Sequence, residues 1–332
     1  MTSVWTTAGE VSATDLGRVL PHEHIFINEM AEDRAAGLLN DAALMRAEIE
    51  EFARAGGRTI VELTTAELTA GAAPDPRGLY RGPPASGFPD HGTRSAANVA
   101  AIAELSEQTG VRIILGTGHY RDPYLEIEPL DRGALHVDQI ADAIVRDLTE
   151  GFPSTGVRAG VIGEVGADKW FVSAREERSI RAAARAHLRV GASVTTHASK
   201  WPVGGDVLDL LVSEGMDPAR IVVGHCSTID IPEYHLDMAR RGAWVQFDTI
   251  RGGADFLVDR WTDQVMTLIR AGHLEQILLS HDVCLKSDLS INGGCGFGYL
   301  FRQFLPRLAR AGLNEGELEQ LVSVNPQRAL CY

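Results

Sequence analysis

Eight short runs rich in valine and isoleucine recur along the chain, at residues 18–24 (RVLPHEH), 58–64 (RTIVELT), 111–116 (VRIILG), 159–164 (AGVIGE), 192–197 (ASVTTH), 221–226 (IVVGHC), 243–248 (AWVQFD) and 277–282 (ILLSHD). Most are followed by an Ala-rich stretch with apolar residues at helical spacing, such as LMRAEIEEFARAGG, AANVAAIAELSEQTG or EERSIRAAARAHLRVG. These stretches end in glycine, the residue that best takes the left-handed conformation closing a helix. Continuous apolar strands alternating with amphipathic helices predict parallel strands buried on both faces, and eight such units predict an α/β fold of the (β/α)8 TIM-barrel type. An open doubly wound sheet is the rival arrangement. Two long stretches interrupt the rhythm, residues 66–95 and the Gly-rich residues 283–299. In a barrel both follow strands, on the face where loops build active sites.

No shift in composition marks a linker, so residues 1–332 read as a single barrel domain. Apolar residues make up 45% of the chain and charged ones 23%, enough to bury a large core. The formal net charge of −14 argues against nucleic acid as a partner, because cationic side chains dominate phosphate binding. The four cysteines form no C-x-x-C pair, the N-terminus has no signal-peptide pattern, and no apolar run approaches membrane-span length. The expectation is a cytoplasmic protein with reduced thiols, no membrane association and a small-molecule substrate.

The strand ends carry the chemistry. His22 and His24 close the first run and, being two residues apart on a strand, face the same way. Glu164 closes the fourth run, His197 the fifth, His225 the sixth and Asp282 the eighth, after His281. Each alone reads as an ordinary hydrogen-bonded residue. Together they place four histidines and two carboxylates on one face, a set too large for one tetrahedral ion and suited to two adjacent divalent ions sharing a carboxylate. Zinc fits the donors best, with manganese or cobalt as alternatives.

H-x-H after the first strand, GEVG near the fourth, TTHAS at the fifth, VVGHCS at the sixth and LLSHD at the eighth resemble the phosphotriesterase family of the amidohydrolase superfamily, nearly end to end. The resemblance implies a binuclear metal centre in a barrel, often a homodimer. By it, His22, His24 and Asp282 hold the more buried ion, His197 and His225 the more exposed one, and a hydroxide lies between them. Familiar members bridge the ions with a carboxylated lysine; here Gly163-Glu164 stands in that place, as in a glutamate-bridged, phosphotriesterase-related branch, so the bridge is assigned to Glu164. A strict overlay puts Gly163 in the ligand slot, so Glu164 reaches the site only if the strand bulges. Lys169 is the weaker candidate.

This resemblance implies a hydrolase in which Asp282 accepts the proton of the attacking hydroxide and delivers it to the leaving group. Cys226 reads as a packing residue, and Glu23 faces away with no metal assigned. Tyr120 matches a pocket-lining tyrosine of the family, or packs on the rim. Arg251, Lys200 and Trp201 are further substrate-binding candidates, with Lys286 and Asn292 behind them; Arg251 reads equally as a solvated loop charge. Thr228 and Thr249 occupy the places where organophosphate-hydrolysing members carry an Asp/His relay. That favours a carbonyl substrate, an N-acyl amide or a lactone or other carboxylic ester, over a phosphoester. A non-catalytic metal-containing binding protein is the alternative of another class. NGGCGFGYL contains G-x-G spacings, but no βαβ unit surrounds it, so a dinucleotide site is not expected.

Overall fold

A computed structural model describes residues 2–74, 93–122, 124–127, 136–167 and 169–332. The eight apolar runs form eight strands: β1 (Val19–Glu23), β2 (Thr59–Glu62), β3 (Arg112–Thr117), β4 (Val161–Ala167), β5 (Val194–Ala198), β6 (Ile221–Val223), β7 (Trp244–Phe247) and β8 (Ile277–Leu279). Every neighbouring pair is parallel and the strands lie in chain order. The two edges meet: Asp282 N donates to His22 O (3.2 Å) and His24 N to Val283 O (3.2 Å). This is a barrel, and the open doubly wound alternative is excluded.

Helices α1 (Ala42–Arg54), α2 (Ala96–Thr109), α3 (Val137–Thr149), α4 (Ala174–Val190), α5 (Gly204–Ser213), α6 (Pro232–Arg240) and α7 (Asp255–Arg270) form the crossovers. Their ends follow local chemistry. Ser173 and Glu176 make a reciprocal capping box at the start of α4, which closes at Gly191 with φ 94°. The last strand is followed by a π-helical turn (Leu300–Phe304) that runs into Leu305–Arg310.

The floor of the barrel is sealed by the hairpin Ser3–Thr6/Gly9–Ser12, whose Val4 packs with Val19, Val61, Ile114 and Val161 from inside the barrel and with Leu330 from the C-terminus. With the bottom closed by apolar packing, the C-terminal face is the open end. After β2 the chain forms a short helix, Ala66–Thr69, and it returns at Arg94. That buried guanidinium pairs with Glu62 and Asn98 and donates to the carbonyls of Glu62 and Gly116. Most of the long 66–95 excursion lies outside the described residues. Among those described, no helix is long and apolar enough to cross a membrane.

Candidate metal centre

Six side chains expected at the strand ends converge at the open end of the barrel, all of them buried. Glu164 is the hub. Its Oε2 lies 3.1 Å from His197 Nδ1, 3.1 Å from His225 Nε2 and 3.5 Å from His22 Nε2, while Oε1 lies 3.5 Å from His24 Nε2. Asp282 Oδ1 sits 3.2 Å from His24 Nε2 and 3.7 Å from His22 Nε2. The strand bulges as its register requires: β4 and β5 pair Ile162 with Val194, then Val165 with Thr196, so one extra residue is accommodated between the two pairs. Gly163 makes this possible at φ 137°, where a Cβ would fall 2.5 Å from Thr195 O. Lys169 is outside the cluster; it is half exposed, with Nζ 3.7 Å from Asp122 Oδ2.

The residues behind the histidines fix which nitrogen faces the centre. Thr64 donates its hydroxyl proton to Glu62 Oε1 (2.5 Å), so it accepts from His24 Nδ1 (2.9 Å), leaving His24 Nε2 as a free donor atom. Asp248 does the same for two rings at once. Its Oδ1 lies 3.0 Å from His225 Nδ1, its Oδ2 lies 3.1 Å from His22 Nδ1, and Oδ2 also accepts from His225 N (2.9 Å) and Gln246 Nε2 (2.8 Å). Asp248 had no role in the sequence reading. Its signal was there, a carboxylate closing the seventh run as Asp282 closes the eighth.

In the ion-free protein the charges couple strongly. Burial disfavours protonated His22, but Glu164 and Asp248 outweigh it and raise its pKa to about 9. Burial and the neighbouring His225 push His197 down to about 4. Burial raises Asp282, and Arg251, then His24, more than offset this and hold its carboxyl below the usual range.

The donor set fits divalent cations. His22 Nε2 is buried with no hydrogen-bond partner, a costly state for a polar atom unless something else takes its lone pair. The triads His22/His24/Glu164 and Glu164/His197/His225 each bring ligand atoms within 4.8 Å of one another, and both contain Glu164. A third, His22/His225/Asp248, shares the same rings from behind.

Around this cluster the other candidates divide. Tyr120 is buried with its hydroxyl 3.3 Å from His197 Nδ1, so it stands at the centre's edge rather than on the outer rim. The guanidinium of Arg251 is largely taken up within the protein: it donates to His281 O (2.8 Å), to Asp282 O and to Asp282 Oδ2 (2.7 Å), and lies 3.4 Å from Asp288 Oδ2. It is neither a solvated charge nor a free fork for a substrate anion. Lys200 and Trp201 are exposed above β5. Asn292 is engaged with Lys286 O (2.7 Å). Thr228 Oγ1 donates to His225 O (2.8 Å) and Thr249 Oγ1 pairs with Ser227 Oγ (2.8 Å), so both bond locally. Cys226 is buried, its thiol on Val223 O. Glu29, unassigned in the sequence, is buried at the mouth, and burial lifts its carboxyl to about 7 against the pull of His24.

The profile of the phosphotriesterase family matches residues 2–73 and 92–330. The chain belongs to the phosphotriesterase family. Among its relatives, the phosphotriesterase homology protein of Escherichia coli (strain K12) is 28% identical over 313 residues, covering 94% of this chain and 97% of that one. N-acetyltaurine hydrolase of Danio rerio is 26% identical over 377 residues, covering 99% and 98%. Of solved structures, a resiniferatoxin-binding protein from Rhodobacter sphaeroides superposes with a TM-score of 0.82 at 28% identity, covering 99% of this chain and 94% of that one. The E. coli homology protein, solved with phosphate in its active site, superposes at 0.80 with 27% identity, covering 95% and 98%.

Proposed function

We propose that this metal-dependent hydrolase of the phosphotriesterase family cleaves a carbonyl substrate, an N-acyl amide or a lactone or other carboxylic ester, at a centre of two divalent cations, zinc first. The observation that carries the reading is the sharing of Glu164 between two ligand triads, one of which contains an orphaned histidine nitrogen. His22, His24 and Asp282 would hold one ion, His197 and His225 the other, with Glu164 between. Such ions lower the pKa of a bound water toward neutrality and polarise the scissile carbonyl.

The chain's own residues supply the rest. Asp282 turns Oδ1 to the cluster and Oδ2 to Arg251, whose charge keeps the carboxylate ionised and its plane fixed. It is placed to take a proton from the attacking water and to pass it to the leaving nitrogen or oxygen as the acyl bond breaks. Tyr120 offers a hydroxyl at the edge of the cluster for a substrate oxygen. The local bonding of Thr228 and Thr249 leaves no proton relay leading out from Asp282 through them, which supports a carbonyl rather than a phosphotriester substrate. Relatives named N-acetyltaurine hydrolase favour the amide. A phosphoester is the second reading, on the strength of the phosphate in the active site of the E. coli relative.

The test is a hydrolysis screen of zinc- or manganese-loaded protein across N-acyl amino acids and aminosulfonates, lactones, carboxylic esters and phosphotriesters, with metal content measured by elemental analysis. The expected result is about two ions per chain and the highest kcat/KM on a carbonyl substrate. Full activity without metal, or a preference for phosphotriesters, would overturn it, and loaded protein inert on every substrate would favour a non-catalytic binding role.

A further inference from the structure

Of the 31 basic residues in the chain only three are lysines, Lys169, Lys200 and Lys286, and all three stand in loops that follow barrel strands. Two of them begin the same dipeptide, Lys169-Trp170 and Lys200-Trp201. The two copies are in register. Strands β4 and β5 are neighbours with Ala167 paired to Ala198, and from that pair each lysine is two residues on and each tryptophan three. The tryptophans are open to solvent, at 69% and 48%, and the ring of Phe171 stands edge-on to Trp170 at 5.1 Å.

A buried indole is worth its place through the area it covers; an indole left largely open on a loop at the C-terminal face of the barrel gains most of that area only when something docks. Lys200 holds a left-handed backbone conformation, φ 68°, which a non-glycine residue adopts at a cost, and Thr228 Oγ1 secures it by accepting from its backbone N (3.0 Å). Among the described residues the Lys200 ammonium has no ion-pair partner, and Lys169 Nζ lies 3.7 Å from Asp122 Oδ2 and 5.8 Å from the centre of the Phe171 ring. In a chain of net charge −14, two exposed lysines on the loops that follow neighbouring strands form a local attraction for anions. The carbonyl to be cleaved would lie at the histidines; His197, near the end of β5, is three residues before Lys200 in the loop that follows.

We propose that the paired Lys-Trp loops above β4 and β5 are the specificity determinant of the site, selecting acyl substrates that carry both an anionic group and an aryl or medium-chain apolar segment. The lysines take the carboxylate or sulfonate and the indoles take the apolar segment, which an acetyl group is too small to supply. This rests on the hydrolase reading above and narrows its substrate class.

Three substrates separate the contributions: N-decanoyltaurine (anionic, long), N-acetyltaurine (anionic, short) and N-decanoylethanolamine (neutral, long). For the metal-loaded wild type, kcat/KM on N-decanoyltaurine should exceed that on either of the others by about tenfold or more. Lys169→Gln/Lys200→Gln should erase most of the preference for the anion, raising KM about five- to tenfold on N-decanoyltaurine and far less on the neutral amide. Trp170→Ala/Trp201→Ala should erase the preference for the long chain by about tenfold, and Trp170→Phe/Trp201→Phe should restore much of it. Equal effects of either double variant on all three substrates would overturn the proposal, as would a wild type that hydrolyses N-acetyltaurine best. If no substrate is hydrolysed, the hydrolase reading fails, and calorimetric binding of N-decanoyltaurine still decides the rim: binding weakened about tenfold by both double variants supports it, and no binding overturns it. Co-sedimentation with phosphatidylcholine/phosphatidylglycerol vesicles that depends on the tryptophans, without any effect on soluble-substrate preference, would make the rim a lipid contact and overturn it as well.

Discussion

Of the carboxylate–histidine clusters buried at the open end of the barrel, the one around Glu164 and the one around Glu23 are built to opposite rules. Glu23 accepts from Ser280 Oγ (2.8 Å), His281 N (2.9 Å), His281 Nδ1 (2.9 Å) and Val283 N (2.8 Å), and the far nitrogen of His281 accepts from Leu300 N (2.8 Å). Donors and acceptors match there, and the network staples β1 to the segment after β8 where the barrel closes. Around Glu164, by contrast, imidazoles crowd two oxygens at distances up to 3.5 Å and one ring nitrogen has no partner. The same residue types make a clasp when saturated and a binding site when left short. Saturation, more than identity, separates structure from function here.

The largest effect should come from breaking the unsaturated cluster at the residue that moves the proton. Asp282→Asn is expected to lower kcat on the best carbonyl substrate by about 10³-fold, in the middle of the range for loss of a general acid–base group. Its thermal unfolding should change little, since the asparagine can still meet Arg251. A kcat within tenfold of wild type would remove Asp282 from the proton path. The mirror experiment is Glu23→Ala, which leaves His281 and two backbone amides without their acceptor. The expected loss is about 3 kcal/mol in denaturant unfolding, in line with leaving several buried donors without their acceptor. The two variants should therefore divide cleanly, one costing turnover and the other stability.

How far this division could be read from the chain follows from the same physics. Strand count and order were legible because each run carries a short apolar stretch and most are followed by an amphipathic, helix-forming segment, the alternation that a parallel barrel asks for. His22, His24, His197, His225 and Asp282 were legible because the end of a strand is where a barrel points its chemistry, and the structure brings them together. Glu164 was legible by type but not by direction: alternation sends it to the wrong face, and only the register shift beside Gly163 reverses that. Asp248 escaped because one carboxylate serving two rings from behind depends on side chains from three strands, which no spacing encodes. For Arg251 the sequence leaves a substrate-binding fork and a solvated loop charge equally open, because its partners, carbonyls and carboxylates of the next loop, are set by the fold. The saturation of Glu23 was equally invisible, since two of its four donors are backbone amides placed by barrel closure.

Asp248 tests the middle of the range. It holds the proton on the far nitrogen of two rings, so Asp248→Asn should weaken metal binding by about 10–100-fold, as for other carboxylates behind metal-ligating histidines. Titration with a competing chelator reads this directly. Activity should return at saturating metal. A loss of turnover that excess metal does not repair would mean that Asp248 acts on the chemistry and not on the ligands.

Another buried carboxylate, Asp147, sharpens the rule by failing half of it. Asp147 on α3 accepts from Thr117 Oγ1 (2.7 Å) through Oδ2, while Oδ1 is buried without a hydrogen-bond partner. An orphaned oxygen alone does not make a metal site; none of the candidate ligand groups among the described residues includes Asp147. Its cost should therefore appear as a pH-dependent penalty on stability. Burial lifts its pKa from 3.8 to about 7, against the opposing pull of Thr117 and Arg146. With the folded value above the unfolded one, the folded state holds the extra proton, so this residue's contribution is best below pH 4 and is lost as pH rises through 7. Asparagine cannot ionise and still accepts from Thr117. Asp147→Asn should match wild type near pH 4 and exceed it at pH 8 by on the order of 2 kcal/mol, less than the full shift implies because burial relaxes on ionisation. Paired urea titrations at the two pH values measure the difference. A gain that is equal at both would show that packing at the site changed and that its ionisation was never the burden.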